Sequence, residues 1–274
     1  MPASRRTTNL PVDSSPRRVA QRRACAMEVV VGRNADNLTS STWVSGRRAS
    51  RSVPTRGSVH LWHGTAKPGR TDVDDADLPL SDDELTRAHG MASMAARCMF
   101  VATHTALRNV LSRYLDRDPR DLQFAYGPHG KPYLALPTMK KMLHFNVSHS
   151  GRVFGIAIAS DGEVGFDIEW IDRSLSISLL IEQVMGPAER SNWQQVPAEF
   201  RHHAFFYYWT RKEALLKACG RGLTVDPRTL EVAEARVQGH VLRSGVPRLG
   251  YIDCVAAPWE IAGVQRRWLT GAWS

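Results

Sequence analysis

The sequence predicts an α+β protein, with helices set against antiparallel sheet. Two observations carry this expectation. Apolar runs of strand length (Met142 to Val147, Val153 to Ala159, Val164 to Trp170) follow one another across turn-forming residues. Longer stretches on either side place their apolar residues at helical spacing instead, which is the mixed pattern of an α+β chain. The 274 residues suffice for one large domain or two small fused lobes, and 43% apolar against 23% charged is ordinary globular composition. No apolar run approaches the roughly eighteen residues of a membrane span.

Residues 1–57 hold eleven arginines, no lysine and three acids. They are Ser- and Thr-rich with no sustained apolar period, so a disordered basic extension is expected. An organellar transit peptide, or a start codon placed too far upstream of Met27, would have the same composition. The other 217 residues hold 25 basic and 24 acidic side chains, so the +9 net charge belongs to the tail. A nearly neutral body has no basic stripe, which argues against a nucleic-acid binder. Such a binder would show steeply salt-dependent affinity that vanished with the tail. Cys25, Cys98, Cys219 and Cys254 form no C-x-x-C pair, which suits free thiols in a reducing cytoplasm.

The body opens with a short strand pattern, Val59 to Trp62, and an acidic loop from Asp72 to Leu80. Ser81-Asp-Asp-Glu84 reads as a helix start with acids in its first turn. Met99, Phe100, Ala106, Leu107, Val110, Leu111 and Leu115 recur at helical spacing between Met94 and Leu115. Asp118-Pro119 follows that helix, and Leu122 to Ala125 reads as a strand. Gly127 to Pro132 has turn chemistry. The three apolar runs then read as an antiparallel meander, the first stopping at Ser148-His149-Ser150-Gly151 and the last two joined through Asp161-Gly162. Ser174 to Val184 and Pro187 to about Leu216 read as helical, the second broken at Val196-Pro197 and closed by Gly220 and Gly222. Leu230 to Val241 and Gly250 to Val255 read as closing strands.

Three clusters carry chemistry. In Val164-Gly165-Phe166-Asp167-Ile168-Glu169 the two carboxylates share one strand face, and they repel unless a cation lies between them or solvent covers them. In Trp209-Thr210-Arg211-Lys212-Glu213-Ala214-Leu215-Leu216-Lys217, helical spacing stacks Trp209, Glu213 and Lys217 on one face. That is either a surface ion pair or, in so aromatic a helix, a buried pair needing partners. Phe145-Asn146-Val147-Ser148-His149-Ser150 offers small hydroxyls beside a histidine, suited to a phosphate or to a plain polar turn. Three carboxylates without a Cys or His pair suit a hard cation such as Mg²⁺ rather than zinc. Lys131, His149 and Lys217 are cations of the kind a polyphosphate ligand needs.

These stretches, with Gly130-Lys131-Pro132, resemble in order and spacing the 4′-phosphopantetheinyl transferases of the surfactin-synthetase type. Weaker similarity runs from about Val59 to Cys254. The resemblance implies a monomer of two similar lobes related by a pseudo-two-fold, each an antiparallel sheet packed by helices, with coenzyme A between them. Residues 58–160 would form the N-terminal lobe and 161–274 a C-terminal lobe bearing the metal site. It implies that Asp167, Glu169 and Glu213 hold Mg²⁺ on the coenzyme A diphosphate, that Lys217 contacts that diphosphate, and that Glu213 is the candidate base. Ser148 and His149 would hold the 3′-phosphate, Lys131 would lie near the adenosine end, and Arg97 would belong with the coenzyme A contacts. Arg97, Phe100 and Arg108 fit a first-half helix pattern of the family, but His104 stands where a second arginine is usual. It is a phosphate donor when protonated or an ordinary helix residue. The implied partner is an apo acyl or peptidyl carrier protein of fatty-acid, polyketide or nonribosomal-peptide synthesis. Its serine attacks the β-phosphorus and 3′,5′-ADP leaves. The competing class is a non-catalytic module that binds coenzyme A and docks carriers, which has no need of a full set of metal ligands.

Overall fold

The computed structural model describes residues 52–67, 75–135, 143–220 and 225–269. Most of the expected basic extension, the acidic loop around Asp72, the strand start at Met142 and the helix end at Gly222 lie outside the described residues.

Ten strands and five α-helices are present among the described residues. The first sheet has the order β10-β1-β5-β4, from Gly263–Trp268 (β10), Ser58–Thr65 (β1), Val153–Ala159 (β5) and His144–Ser150 (β4). The second has the order β6-β9-β8-β7, from Gly165–Trp170 (β6), Tyr251–Ala257 (β9), His240–Gly245 (β8) and Arg236–Val237 (β7). A small hairpin of Phe124–Tyr126 (β2) and Pro132–Leu134 (β3) turns through Gly130, whose φ of 78° is glycine territory.

Alternation along the strands builds four layers. Trp62, Phe154, Ile156 and Ile158 point outward from the first sheet onto Met94–Leu115 (α2), meeting Ala106, Leu107, Val110 and Leu111. Val59, Leu61 and Ala157 point inward against Phe166, Ile168 and Val255 of the second sheet. Cys254 and Ala256 point outward onto Arg201–Cys219 (α5), meeting Ala214, Leu215 and Ala218. Each sheet thus carries one long helix on its outer face, and the apolar layer between sheets joins them.

Local signals work as physics requires. Asp82–His89 (α1) opens with a complete capping box from Ser81 and Glu84. Helix α5 closes on Gly220 at φ 63°. The helical stretch after Pro187 splits into Pro187–Gln194 (α4) and α5, with the break around Pro197. Ser178–Val184 (α3) begins four residues later than the apolar pattern suggests.

Three strand expectations are corrected. The meander does not form, because β6 pairs with β9 rather than β5. Both edges of β5 are already taken, by β4 and by β1. The run through Ser148-His149-Ser150 is strand rather than turn, since pairing continues to Ser150 opposite Val153 and the reversal waits for Gly151 at φ 56°. Leu230 to Val241 is not one strand: β7 and β8 turn back on each other through Gln238-Gly239, both at positive φ. The C-terminal strand β10 had no expectation attached to it. It lies parallel to β1 in the first sheet, so residues 161–274 do not all stay on the second sheet.

Candidate active site

The free edges of the two sheets, β4 and β6, lie side by side and are bridged by side chains instead of a backbone ladder. Asn146 Oδ1 accepts from the Phe166 amide at 3.0 Å, Ser148 Oγ donates to Asp167 Oδ1 at 2.7 Å, and Ser150 Oγ donates to Glu169 Oε2 at 2.6 Å. Residue numbers rise together on both strands, so the edges run parallel. Pleating places Asn146, Ser148 and Ser150 on one face of β4, and Asp167 and Glu169 on the α5 side of β6.

Helix α5 completes the cluster. Trp209 donates its indole N–H to Glu169 Oε1 at 2.9 Å. Two turns on, Lys217 Nζ donates to Asp167 Oδ1 at 2.6 Å and to Ser148 Oγ at 2.9 Å. Glu213 lies between them on the same face. The stacking of Trp209, Glu213 and Lys217 expected from helical spacing is therefore what the structure contains, and all three face the β6 carboxylates. The closeness of β6 to α5 has a local cause. Gly165 sits against the backbone of Ala214 and Ala218, where a Cβ would come within 2.0 Å of the Ala214 carbonyl.

The electrostatics of the three acids follow from this crowding. Burial pushes the Asp167 carboxyl up, against the opposing pull of Lys217. Burial and then the Asp167 charge push Glu169 up. Burial, then Asp167, raise Glu213 to about 7. Among the described residues, buried Asp167 Oδ2 and Glu213 Oε1 have no hydrogen-bond partner. Unpartnered buried carboxylate oxygens, beside an Asp167 charge that raises both glutamates, are a donor set suited to a hard divalent cation. Among the described residues no three His, Cys, Asp or Glu side chains are already drawn in around one metal-sized point. The Lys217 ammonium stands beside Asp167 instead.

The remaining expected residues fall into two groups. His149 is exposed and, by strand alternation, faces away from Ser148. Partial desolvation and then the Lys217 charge hold its imidazole below the ordinary value. The structure thus does not bring Ser148 and His149 to one ligand. Lys131 sits at the β6 end of the seam, ion-paired with Glu163 and donating to the Val164 carbonyl at 3.1 Å. His144 also bonds Glu163 at 3.1 Å, and the His144 and Lys131 bonds hold that carboxyl at about 2. Arg97 is half-buried on α2 and makes no side-chain bond among the described residues. His104 is answered by a residue the sequence did not single out for it: its Nδ1 bonds Glu84 Oε1 at 2.7 Å, its ring stacks on Phe100, and Arg108 grips the other Glu84 oxygen at 2.7 Å. His104 and Arg108 therefore tie α2 to α1. The sequence also left Asn146 and Glu163 without roles. An asparagine in an otherwise apolar strand was the available signal for the first.

A family profile described as the 4′-phosphopantetheinyl transferase superfamily matches residues 163–254, which include β6 and all of α5. The 4′-phosphopantetheinyl transferase HetI of Nostoc sp. is 33% identical over 165 residues, covering 60% of this chain and 70% of that protein. AcpT of Salmonella typhi, also named a 4′-phosphopantetheinyl transferase, is 36% identical over 143 residues, covering 50% and 71%. Sfp of Bacillus subtilis is 32% identical over 121 residues, covering 43% of this chain and 50% of its own length. Identity at this level over seven-tenths of two relatives, together with a family profile spanning the strand and helix that gather the acids, means that the chain belongs to the 4′-phosphopantetheinyl transferase superfamily.

Proposed function

We propose that this chain transfers the 4′-phosphopantetheine arm of coenzyme A to a serine of an acyl or peptidyl carrier protein, with Mg²⁺, releasing 3′,5′-ADP. The observation that carries this reading is the meeting of Asp167 and Glu169 from β6 with Glu213 and Lys217 from α5, where two buried carboxylate oxygens have no partner among the described residues. Asp167, Glu169 and Glu213 would hold Mg²⁺, which when bound supplies charge neutralisation and polarisation of the diphosphate.

Lys217 would move its ammonium from Asp167 to the diphosphate, the anion with the greater charge. Glu213 would be the candidate base, taking the proton of the attacking serine directly or through water. The serine Oγ–phosphorus bond forms as the bond from phosphorus to the oxygen of 3′,5′-ADP breaks. Such an in-line displacement depends on positioning and charge more than on covalent help from the protein. In this reading the exposed His149 meets the 3′-phosphate, and Lys131 and Arg97 lie along the nucleotide. The first sheet with α2 and the second with α5 are the two lobes of a monomer. Cytoplasmic residence fits cysteines that form no disulfide among the described residues, where no helix is long and apolar enough to cross a membrane.

The test mixes the protein with coenzyme A, Mg²⁺ and a panel of apo carrier proteins and reads the carrier mass. Gain of a phosphopantetheine on the carrier serine, lost in Asp167→Ala, is the expected result. An unmodified panel beside demonstrable coenzyme A binding would favour the non-catalytic module.

A further inference from the structure

We infer that Cys219 and His240 form a thiol-modification site, at which the Cys219 sulfur exchanges with small disulfides as a thiolate paired with the His240 imidazolium. The site uses none of the acids or cations of the cluster above, and the inference does not depend on the transferase reading.

The two residues are distant in sequence and the fold joins them. Cys219 is the last residue of α5, and His240 opens β8 after the turn at Gln238-Gly239. Val237 and Cys219 pack onto the same apolar cluster, which sets the β7–β8 hairpin against the end of the helix. The Cys219 sulfur lies 3.7 Å from His240 Nε2, and both side chains are half-buried.

The partner of the other ring nitrogen fixes the tautomer. Nδ1 lies 3.1 Å from the Gln238 carbonyl oxygen, which can only accept, so Nδ1 carries the hydrogen. Nε2 of the neutral ring is then a lone pair, and it faces the thiol. Gln238 and Gly239 hold φ of 47° and 79°, the pattern of a tight two-residue hairpin turn. That turn keeps the carbonyl beside its own histidine, where the bond persists once the ring takes a second proton. A nucleophile, a base and a group that orients the base are the parts of an activated thiol.

Two electrostatic effects compete at the sulfur. The carboxyl end of a helix disfavours a thiolate with the equivalent of about half a unit charge. The Gly220 amide offsets part of it by donating to the Leu216 and Lys217 carbonyls. The imidazolium supplies a whole opposite charge beside the sulfur, so the pair prevails. Charged side chains on the same elements are drawn elsewhere, Lys217 to Asp167, and Arg236 and Arg243 to Glu260. In the exchange His240 Nε2 takes the thiol proton. Sγ bonds to one sulfur of the disulfide as its S–S bond breaks, and the departing thiolate takes the proton from Nε2. The products are a mixed disulfide on Cys219 and one small thiol.

The test incubates the full chain with bis(2-hydroxyethyl) disulfide, an uncharged probe, and follows the Cys219 adduct by peptide mass. Wild type is compared with His240→Gln and His240→Asn between about pH 6 and about pH 10, which spans the ordinary thiol range. Near pH 7 wild type should react about threefold faster than either variant. A thiolate fraction raised roughly tenfold is offset in part by the weaker nucleophilicity of a less basic sulfur. Near pH 10 both sulfurs are ionised and the order should reverse, the more basic sulfur of the variants being the faster. A change of packing or access alone would shift the rate in one direction at every pH. The wild-type rate should also level off at lower pH than that of Cys219 in the urea-unfolded chain, a comparison that decides the matter if neither variant melts cooperatively. Equal rates in wild type and variants, a ratio constant with pH, or a wild-type profile matching the unfolded chain overturns the inference.

Discussion

Gly165→Ala is the sharpest perturbation of the site that a single added methyl group can make. The new Cβ would stand 2.0 Å from the Ala214 carbonyl oxygen, 2.3 Å from the Ala218 nitrogen and 2.8 Å from the Ala218 Cα. All three are helix backbone, so no flexible side chain can turn aside. Reaching an ordinary contact of about 3.4 Å requires α5 to retreat from β6 by about 1.4 Å. Overpacking of this sort costs about 1–3 kcal/mol, or about 2–12 °C in melting temperature for a chain of this size. The functional cost is larger. Glu213 and Lys217 precede Ala214 and Ala218 on α5, while Asp167 and Glu169 follow Gly165 on β6. The same displacement therefore opens the site, and a misplacement near 1 Å can cost roughly 100-fold in rate. Thermal melts and the carrier-modification assay on Gly165→Ala would be read beside Gly263→Ala, whose added Cβ meets nothing within 4 Å. Equal melting temperature and equal transfer in the two variants would refute the claim that close β6–α5 contact sets the site.

Two other outcomes are expected. The raised Glu213 pKa, about 7 folded against 4.5 for the free side chain, means the folded protein binds a proton that the unfolded chain has lost. Stability should therefore fall as pH rises from about 4.5 to 7. In metal-free buffer Glu213→Gln should be more stable than wild type near pH 8, on the order of 1–2 kcal/mol after solvent screening, with the gap closing by about pH 4.5. A gap independent of pH would contradict it. The fully buried pair Lys212–Glu189, 2.6 Å apart, should behave differently: Lys212→Met strands a buried carboxylate and should cost about 3–5 kcal/mol by denaturant melts. Adding Glu189→Leu should recover part but not all, because Glu189 also accepts from the Gly186 and Val232 amides.

The elements legible in the sequence are those whose signal is local. The apolar period over Met94–Leu115, the helix start at Ser81–Glu84 and the helix-closing Gly220 each specify their own surroundings and reappear in the structure. The acids of the candidate site were legible for the same reason, since spacing of two on a strand and four on a helix settles which side chains share a face. Partner choice was not. Phe166 and Ile168 announce a buried face, yet nothing in them says whether β6 pairs with β5 or leaves for another sheet; that depends on β1 having occupied the second edge of β5. The segment Gly263–Trp268 was missed because Gln265, Arg266 and Arg267 interrupt any apolar alternation. Arg266 is half-buried, its guanidinium turned in to buried Asp253 at 2.7 and 3.1 Å. The direction of Ser148 was hidden too, since a hydroxyl's partner is a tertiary fact.

The return of β10 to the first sheet bears on how the molecule can be dissected. A break near residue 162 would not yield two self-sufficient halves: the leading piece would be left with β1, buried from Ser58 to Gly64 in the whole protein, as a bare edge open to pairing with another copy. Trailing residues as far as Leu269, which bonds the His63 carbonyl, belong to the architecture of the opening strand. Affinity tags at that end therefore call for a spacer, and any split-protein design should cut elsewhere.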